Sequence, residues 1–289
     1  MIARTRRHNY DPDPEFFFMN IPHETGRARS GELSIRFRRL GKRGKTPILI
    51  VHGLQYFSWD WLPVAQALGA EREVLCMDMR GFGDSDWSTQ KDYSVPSMAQ
   101  DIVAVLDHAG WQRAVLIGHS MGGRSTTCAA AKNPARIAGL ALIDYTPDNA
   151  PAGTKRTTEI VGNTPDSFPS LEAARQYLGP KKDAERYVHY LKNLSVKRDP
   201  YFRDQFRKVL AGGERPKLGV DMWQLLGEVR CSVLSVRGTR SNMYAAETVA
   251  KMRAANSRLQ VVEVDAGHDI AGENEAALLE VLRKWIPEA

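Results

Sequence analysis

Ser120 stands in Gly118-His119-Ser120-Met121-Gly122, a G-x-S-x-G spacing that sets a hydroxyl between two glycines. The residues before it, Val115-Leu116-Ile117, read as a buried strand, and Met121 to Lys132 read as an Ala-rich helix. A strand, a sharp strained turn and a helix make a nucleophile elbow, in which the glycines let strand and helix approach and the turn exposes the hydroxyl. The helix N-terminus then brings its dipole and free N–H groups to the place where negative charge develops. The chemistry this permits is attack of a serine oxygen on a carbonyl, with a histidine taking the proton. Seven histidines are available. His8 and His23 precede the core, and His108 ends a helix, where a cation suits the dipole. His119 adjoins the serine and cannot easily fold back to its hydroxyl, and His189 reads as a surface residue of an amphipathic segment. His52 and His268, each behind an apolar strand-like run, remain.

These side chains need a frame. Short apolar runs alternate with amphipathic segments, the βαβ pattern of a mostly parallel sheet with helices on both faces. Pro47–His52 is a continuous apolar run, as in a strand buried on both faces. Glu73–Met79, Ala114–Gly118, Ile137–Asp144, Ser232–Arg237 and Leu259–Val264 repeat it. Helices are expected over Trp61–Leu68, Val95–His108, Met121–Lys132, Ala245–Ala255 and Glu275–Trp285. Glu15–Asn20 and Leu33–Arg39 come without a helix between them and predict an antiparallel start to the sheet. From 147 to 228 there is no buried strand, only proline-punctuated helical stretches such as Leu171–Leu178, Ala184–Leu194 and Phe202–Leu210. The expected organisation is a basic tail (1–14), an α/β core (15–146 and 229–289) and a helical cap (147–228) over the sheet edge where open α/β folds bind ligands.

Two more motifs join the elbow. His52-Gly53 follows the strand Ile48–Val51, and Asp78-Met79-Arg80-Gly81-Phe82-Gly83-Asp84-Ser85 has the form D-x-R-G-x-G-x-S. With these, the chain resembles the α/β-hydrolase family, in its serine esterase and lactonase-like branch, over roughly Glu15 to Ile286. The cap region matches only generically. The resemblance implies an oxyanion hole made by the backbone N–H groups of Leu54 and Met121, where one preset donor is worth about 3 kcal/mol. It makes His52 architectural and gives His268, in Val264-Asp265-Ala266-Gly267-His268, the position of the catalytic base. The orienting acid departs from the commonest pattern. Many relatives place Asp in a G-x-x-D turn after the strand that follows the cap; here Gly238-Thr239-Arg240-Ser241 puts a serine there. Some relatives, the haloalkane dehalogenases among them, take the acid from the end of the preceding core strand, a position matched by Asp144. Asp144 is therefore the expected acid, with Asp265 and Asp269, close in sequence to His268, as the other candidates.

Gln55-Tyr56-Phe57-Ser58-Trp59-Asp60-Trp61 is unusually aromatic for a loop entering a helix. Trp61 is expected in the core, while Tyr56, Phe57, His119 and Tyr145 are the expected pocket residues. The chain has 289 residues, 43% hydrophobic and 26% charged, which excludes wholesale disorder. No run reaches the roughly 18 apolar residues of a membrane span, and no signal-like segment follows the basic start. Three cysteines, Cys76, Cys128 and Cys231, cannot make a disulfide framework and read as buried thiols of a cytoplasmic protein. The net charge of +6 is scattered. Its densest cluster, Arg36, Arg38, Arg39, Lys42, Arg43 and Lys45, is expected to be a solvated hairpin rather than a nucleic-acid platform. No metal or dinucleotide motif appears, so no cofactor is expected. The expected partner is a small-molecule substrate, with neither nucleic acid nor membrane; nothing in the chain specifies an oligomeric state. The expected activity is hydrolysis of a small or medium carboxylic ester or lactone. Hydrolytic C–C cleavage, a hydroxynitrile-lyase reaction and a non-catalytic small-molecule receptor are the alternatives.

Overall fold

The computed structural model describes residues 21–148, 150–178, 191–192, 195–214 and 218–286. Eight strands form one sheet: Glu24–Ser30 (β1), Leu33–Leu40 (β2), Ile48–Val51 (β3), Val74–Met77 (β4), Ala114–His119 (β5), Ile137–Ile143 (β6), Ser232–Gly238 (β7) and Leu259–Val264 (β8). Their order is β1-β2-β4-β3-β5-β6-β7-β8. β2 pairs antiparallel with β1 and β4, and every other neighbouring pair is parallel. The parallel strands therefore deliver their C-terminal ends, and the loops that follow them, to one edge.

Alternation along the strands feeds two cores. Leu49 and Val51 of β3 and Leu116 of β5 face the helices Val95–His108 (α2) and Met121–Lys132 (α3). Ile48 and Ile50 of β3, with Val115 and Ile117 of β5, face Leu62–Leu68 (α1) and the C-terminal helix Glu275–Trp285. Every residue of β3, β4 and β5 is buried. Each large aliphatic side chain so removed from water contributes about 1.5–3 kcal/mol against chain entropy.

Cys76 and Cys128 are buried as expected, but Cys231 is only partly buried, and three further expectations differ from the structure. The antiparallel partner of β2 is Glu24–Ser30; Glu15–Asn20 lies outside the described residues. β1 hid from the sequence because it is an edge strand of polar residues, with Ala28 its one apolar side chain. Of the helix expected over Ala184–Leu194, the two described residues, Leu191–Lys192, are instead a strand paired antiparallel with Ser195–Val196; residues 184–190 and 193–194 lie outside the described residues. Backbone pairing there overrides the local helical pattern. The third difference is Arg38. It is no solvated hairpin charge but 2% exposed, ion-paired with Asp78 at 3.2 Å and Asp84 at 3.1 Å.

Between β6 and β7 the described residues form the helices Pro151–Asn163 (α4), Leu171–Leu178 (α5), Pro200–Leu210 (α6) and Met222–Glu228 (α7). α4 packs on α6, where Arg207 donates to the Gly162 carbonyl at 2.8 Å. Lys197–Asp199 joins this segment to the loop after β4. Gly83 N–H donates to the Lys197 carbonyl at 2.8 Å, and Asp199 N–H donates to the Gly81 carbonyl at 2.8 Å. The Asp199 carboxylate also takes hydrogen bonds from Lys91 and the Tyr93 hydroxyl. Among the described residues, no helix is long and apolar enough to cross a membrane.

Candidate active site

Ser120 is the residue between β5 and α3, and its backbone is strained, with φ 50° and ψ −115°. A non-glycine residue at positive φ costs of order 1–3 kcal/mol and persists only where its surroundings over-determine it. Close approach does so here. A Cβ on Gly118 would come within 2.2 Å of Thr126 Oγ1, and one on Gly122 within 2.3 Å of the Val51 carbonyl oxygen. Glycine at both positions lets α3 start directly against β3 and β5. Gly53 makes a third close approach, its missing Cβ lying 3.0 Å from the Ser120 Cβ. The backbone of Gly53-Leu54 thus passes over the elbow. Neither the Leu54 nor the Met121 amide donates to a protein acceptor among the described residues, and Met121 is the first residue of α3, whose amide has no partner within the helix.

The loops at the sheet edge bring the three expected side chains together. Ser120 Oγ lies 3.0 Å from His268 Nε2, and His268 Nδ1 lies 2.6 Å from Asp144 Oδ2. A carboxylate can only accept, so Nδ1 carries the imidazole proton and Nε2 presents its lone pair to the serine hydroxyl. Asp144 is 1% exposed and, like Ser120, has a left-handed backbone, with φ 44°. Its carboxylate also accepts from Gly238 N–H at 2.9 Å and from the Ser241 hydroxyl at 2.5 Å. Ser241 was the residue standing where a later acid was expected. Its hydroxyl meets the carboxylate of Asp144. Asp265 instead pairs with Arg240 at 2.9 Å, and Asp269 caps the short helix Ile270–Glu273.

The expected pocket residues divide. Tyr56 is partly exposed, whereas Phe57, His119 and Tyr145 are nearly inaccessible and act as packing. His119 lies behind the base. Its Nε2–H donates to the His268 carbonyl at 3.0 Å, and its ring sits 4.8 Å from the His268 ring and 5.0 Å from Tyr56. Burial, and then the neighbouring His268, lower its pKa, so it stays neutral. Tyr145 packs its ring against Gly123, where any Cβ would meet it at 2.5 Å. Trp61 is in the core as expected.

Beneath the Gly53–Ser58 loop lies the D-x-R-G-x-G-x-S segment. Asp78 Oδ1 accepts from Ser58 N–H at 2.7 Å and from the Ser58 hydroxyl at 2.6 Å. Arg38 and Asp84 N–H reach its other oxygen. Burial alone would raise the Asp78 pKa, but Arg38 and these hydrogen bonds outweigh it and leave it lowered. Arg80 makes a bidentate pair with Asp101 of α2 at 2.7 and 2.8 Å. His52 accepts from Met79 N–H at 2.9 Å, and burial holds it near pKa 4, a neutral strut between two loops. Sequence reasoning did not find the role of Ser241, the place of His119 behind the base, or the burial of Arg38. Each depends on contacts between loops far apart in the chain.

Comparison with known proteins fits this arrangement. A family model described as the alpha/beta hydrolase fold matches residues 46–275. The chain belongs to the α/β-hydrolase family. A curated relative of this α/β hydrolase is the 3-hydroxybutyrate-oligomer hydrolase of Cupriavidus necator, 29% identical over 245 residues, covering 76% of this chain and 82% of that one. A crystal structure of an alpha/beta hydrolase from Novosphingobium aromaticivorans superposes with a TM-score of 0.73 and 29% identity, over 89% of this chain and 98% of that one. Some relatives are longer proteins. The dihydrolipoyllysine-residue acetyltransferase component of the acetoin cleaving system of Pseudomonas putida is 37% identical over 117 residues, 40% of this chain but 31% of that protein.

Proposed function

We propose that this α/β hydrolase is a serine hydrolase that cleaves a small or medium carboxylic ester or lactone through an acyl-enzyme. The observation that carries the reading is the continuous hydrogen-bonded line from Ser120 through His268 to Asp144, with Ser120 held in a strained turn at the start of α3. His268 Nε2 takes the Ser120 proton as Oγ adds to the ester carbonyl. The Leu54 and Met121 amides receive the oxyanion, and Asp144 stabilises the imidazolium without itself being protonated. Nε2 then returns the proton to the leaving oxygen. Water, deprotonated by the same nitrogen, releases the acid. In this reading the helices between β6 and β7, Pro151–Asn163, Leu171–Leu178, Pro200–Leu210 and Met222–Glu228, serve as a cap over this edge. The relative named 3-hydroxybutyrate-oligomer hydrolase supports hydrolytic chemistry.

Pre-steady-state hydrolysis of 4-nitrophenyl butyrate tests the reading. A burst of nitrophenol close to one equivalent per chain, absent in Ser120→Ala, is the expected result. A receptor using the same pocket would give neither burst nor turnover, and that outcome would overturn the assignment.

A further inference from the structure

Among Met121–Ala130, the first ten residues of α3, all are buried except Met121 and Arg124. The two lie three residues apart, on one face of the helix. The Met121 amide belongs to the oxyanion hole assigned above. Arg124 follows Ser120 by four residues, about 6 Å along the helix axis, and is itself partly exposed.

Its surroundings give it no counter-charge. Arg124 makes no hydrogen bond and no ion pair among the described residues. The titratable group that acts on it is the phenol of Tyr145, which follows Asp144 and packs on Gly123. Burial pushes the Tyr145 hydroxyl up, so it stays neutral at ordinary pH, and burial lowers Arg124. Several other poorly exposed arginines are matched: Arg38 with Asp78 and Asp84, Arg80 with Asp101, Arg203 with Asp166, Arg237 with Glu263. A partly exposed guanidinium without a carboxylate partner keeps its planar fork of donors available, and that fork fits a carboxylate bidentately.

We propose that Arg124 anchors a free carboxylate on the substrate, so that this hydrolase selects esters bearing a second, ionised carboxyl group. The inference rests on the serine-hydrolase reading and narrows its substrate class. Acylation at Ser120 is unchanged by it. The guanidinium supplies binding energy and orientation one helical turn from the attacked carbonyl.

Two matched ester pairs test this, each corrected for spontaneous hydrolysis. On the acyl side, mono(4-nitrophenyl) adipate is compared with methyl 4-nitrophenyl adipate. On the leaving-group side, 4-butyryloxybenzoate is compared with its methyl ester. The free carboxylate should raise kcat/KM about tenfold to a hundredfold in one pair, the range of a charge-assisted hydrogen bond. Which pair shows it tells which side of the ester carries the acid. Arg124→Gln should bring that ratio close to one, and Arg124→Lys, which keeps the charge but loses the fork, should leave it intermediate. Should Arg124→Gln fail to fold, the wild-type ratio and Arg124→Lys still decide. Ratios near one in both wild-type pairs, or a ratio untouched by the substitutions, would overturn the inference while Ser120 acylation leaves the hydrolase reading standing. Failure of all four esters to acylate Ser120 would instead remove the reading beneath it.

Discussion

Asp144 carries its hydrogen bonds on both carboxylate oxygens: Gly238 N–H on one, Ser241 Oγ and His268 Nδ1 on the other. Replacing it with Asn removes the charge that favours imidazolium and presents an amide that can fix the wrong tautomer. Asp144→Asn should lower kcat on the order of 10⁴-fold, by analogy with the triad template. Ser241→Ala removes one neutral donor while Gly238 and His268 stay, so the loss should be about fivefold, equivalent to a hydrogen bond of ~1 kcal/mol. Steady-state kinetics on a single ester compares the two. Equal losses would mean that Ser241 matters as much as the carboxylate. Ser120 was legible in the sequence from its G-x-S-x-G turn between a strand and a helix, whereas His268 and Asp144 were expected from the family resemblance, each at the end of an apolar strand. The role of Ser241 was not, because its distance from Asp144 is set by the pairing of β6 with β7, where Asp144 N–H donates to the Val236 carbonyl at 2.8 Å.

Among elements, β2 and the loops after β3 and β4 meet at a buried ion pair. Arg38 of β2 reaches Asp78, and Asp78 holds the Ser58 end of the loop that carries Leu54. Removing one partner of such a pair leaves a buried charge, which costs about 3–5 kcal/mol. Arg38→Met should therefore lower unfolding free energy by that amount, read from urea or guanidinium denaturation. A change below about 1 kcal/mol would show that water reaches Asp78 and solvates it. In the sequence Arg38 looked like one more base in a charge run, since periodicity says which face a residue takes but not which carboxylate the adjoining strand delivers. The long amphipathic elements were easier to read. α2, α3 and the C-terminal helix Glu275–Trp285 coincide with their expected bounds because their apolar spacing, Ser94 and Asn274 caps, and Gly110 and Asn133-Pro134 stops agree. β1 carried no such agreement.

At the scale of the whole molecule, two neutral histidines are buried where the loops at the sheet edge converge. Burial holds His52 at about 4 instead of 6.5 and lowers His119 as well. The unfolded chain binds protons on both as pH falls through about 6.5, whereas folded His52 resists until near pH 4. Their contribution to stability is thus complete above about pH 7 and declines as pH falls from about 6.5 towards 4, by about 3 kcal/mol for His52 alone. Denaturation midpoints at about pH 7.5 and pH 4.5 should differ accordingly, and His52→Asn should flatten the difference. Identical midpoints would mean that both rings protonate in the folded protein. The frame of the molecule, a parallel sheet with helices on both faces, was legible from the alternation of apolar runs and amphipathic segments. Of the insertion between β6 and β7, the described residues were legible only as helical stretches. Its attachment through Lys197–Asp199 to the loop after β4 is a pairing of distant backbones that no local pattern encodes.

The most direct test of the central claim, that Ser120 is a nucleophile activated by His268, is peptide mapping after treatment with a fluorophosphonate. The adduct should fall on Ser120, at one per chain, and its rate of formation should drop by on the order of 10³ or more in His268→Ala, because an unassisted serine hydroxyl is a weak nucleophile. An adduct on any other residue, or equal labelling rates with and without His268, would contradict it.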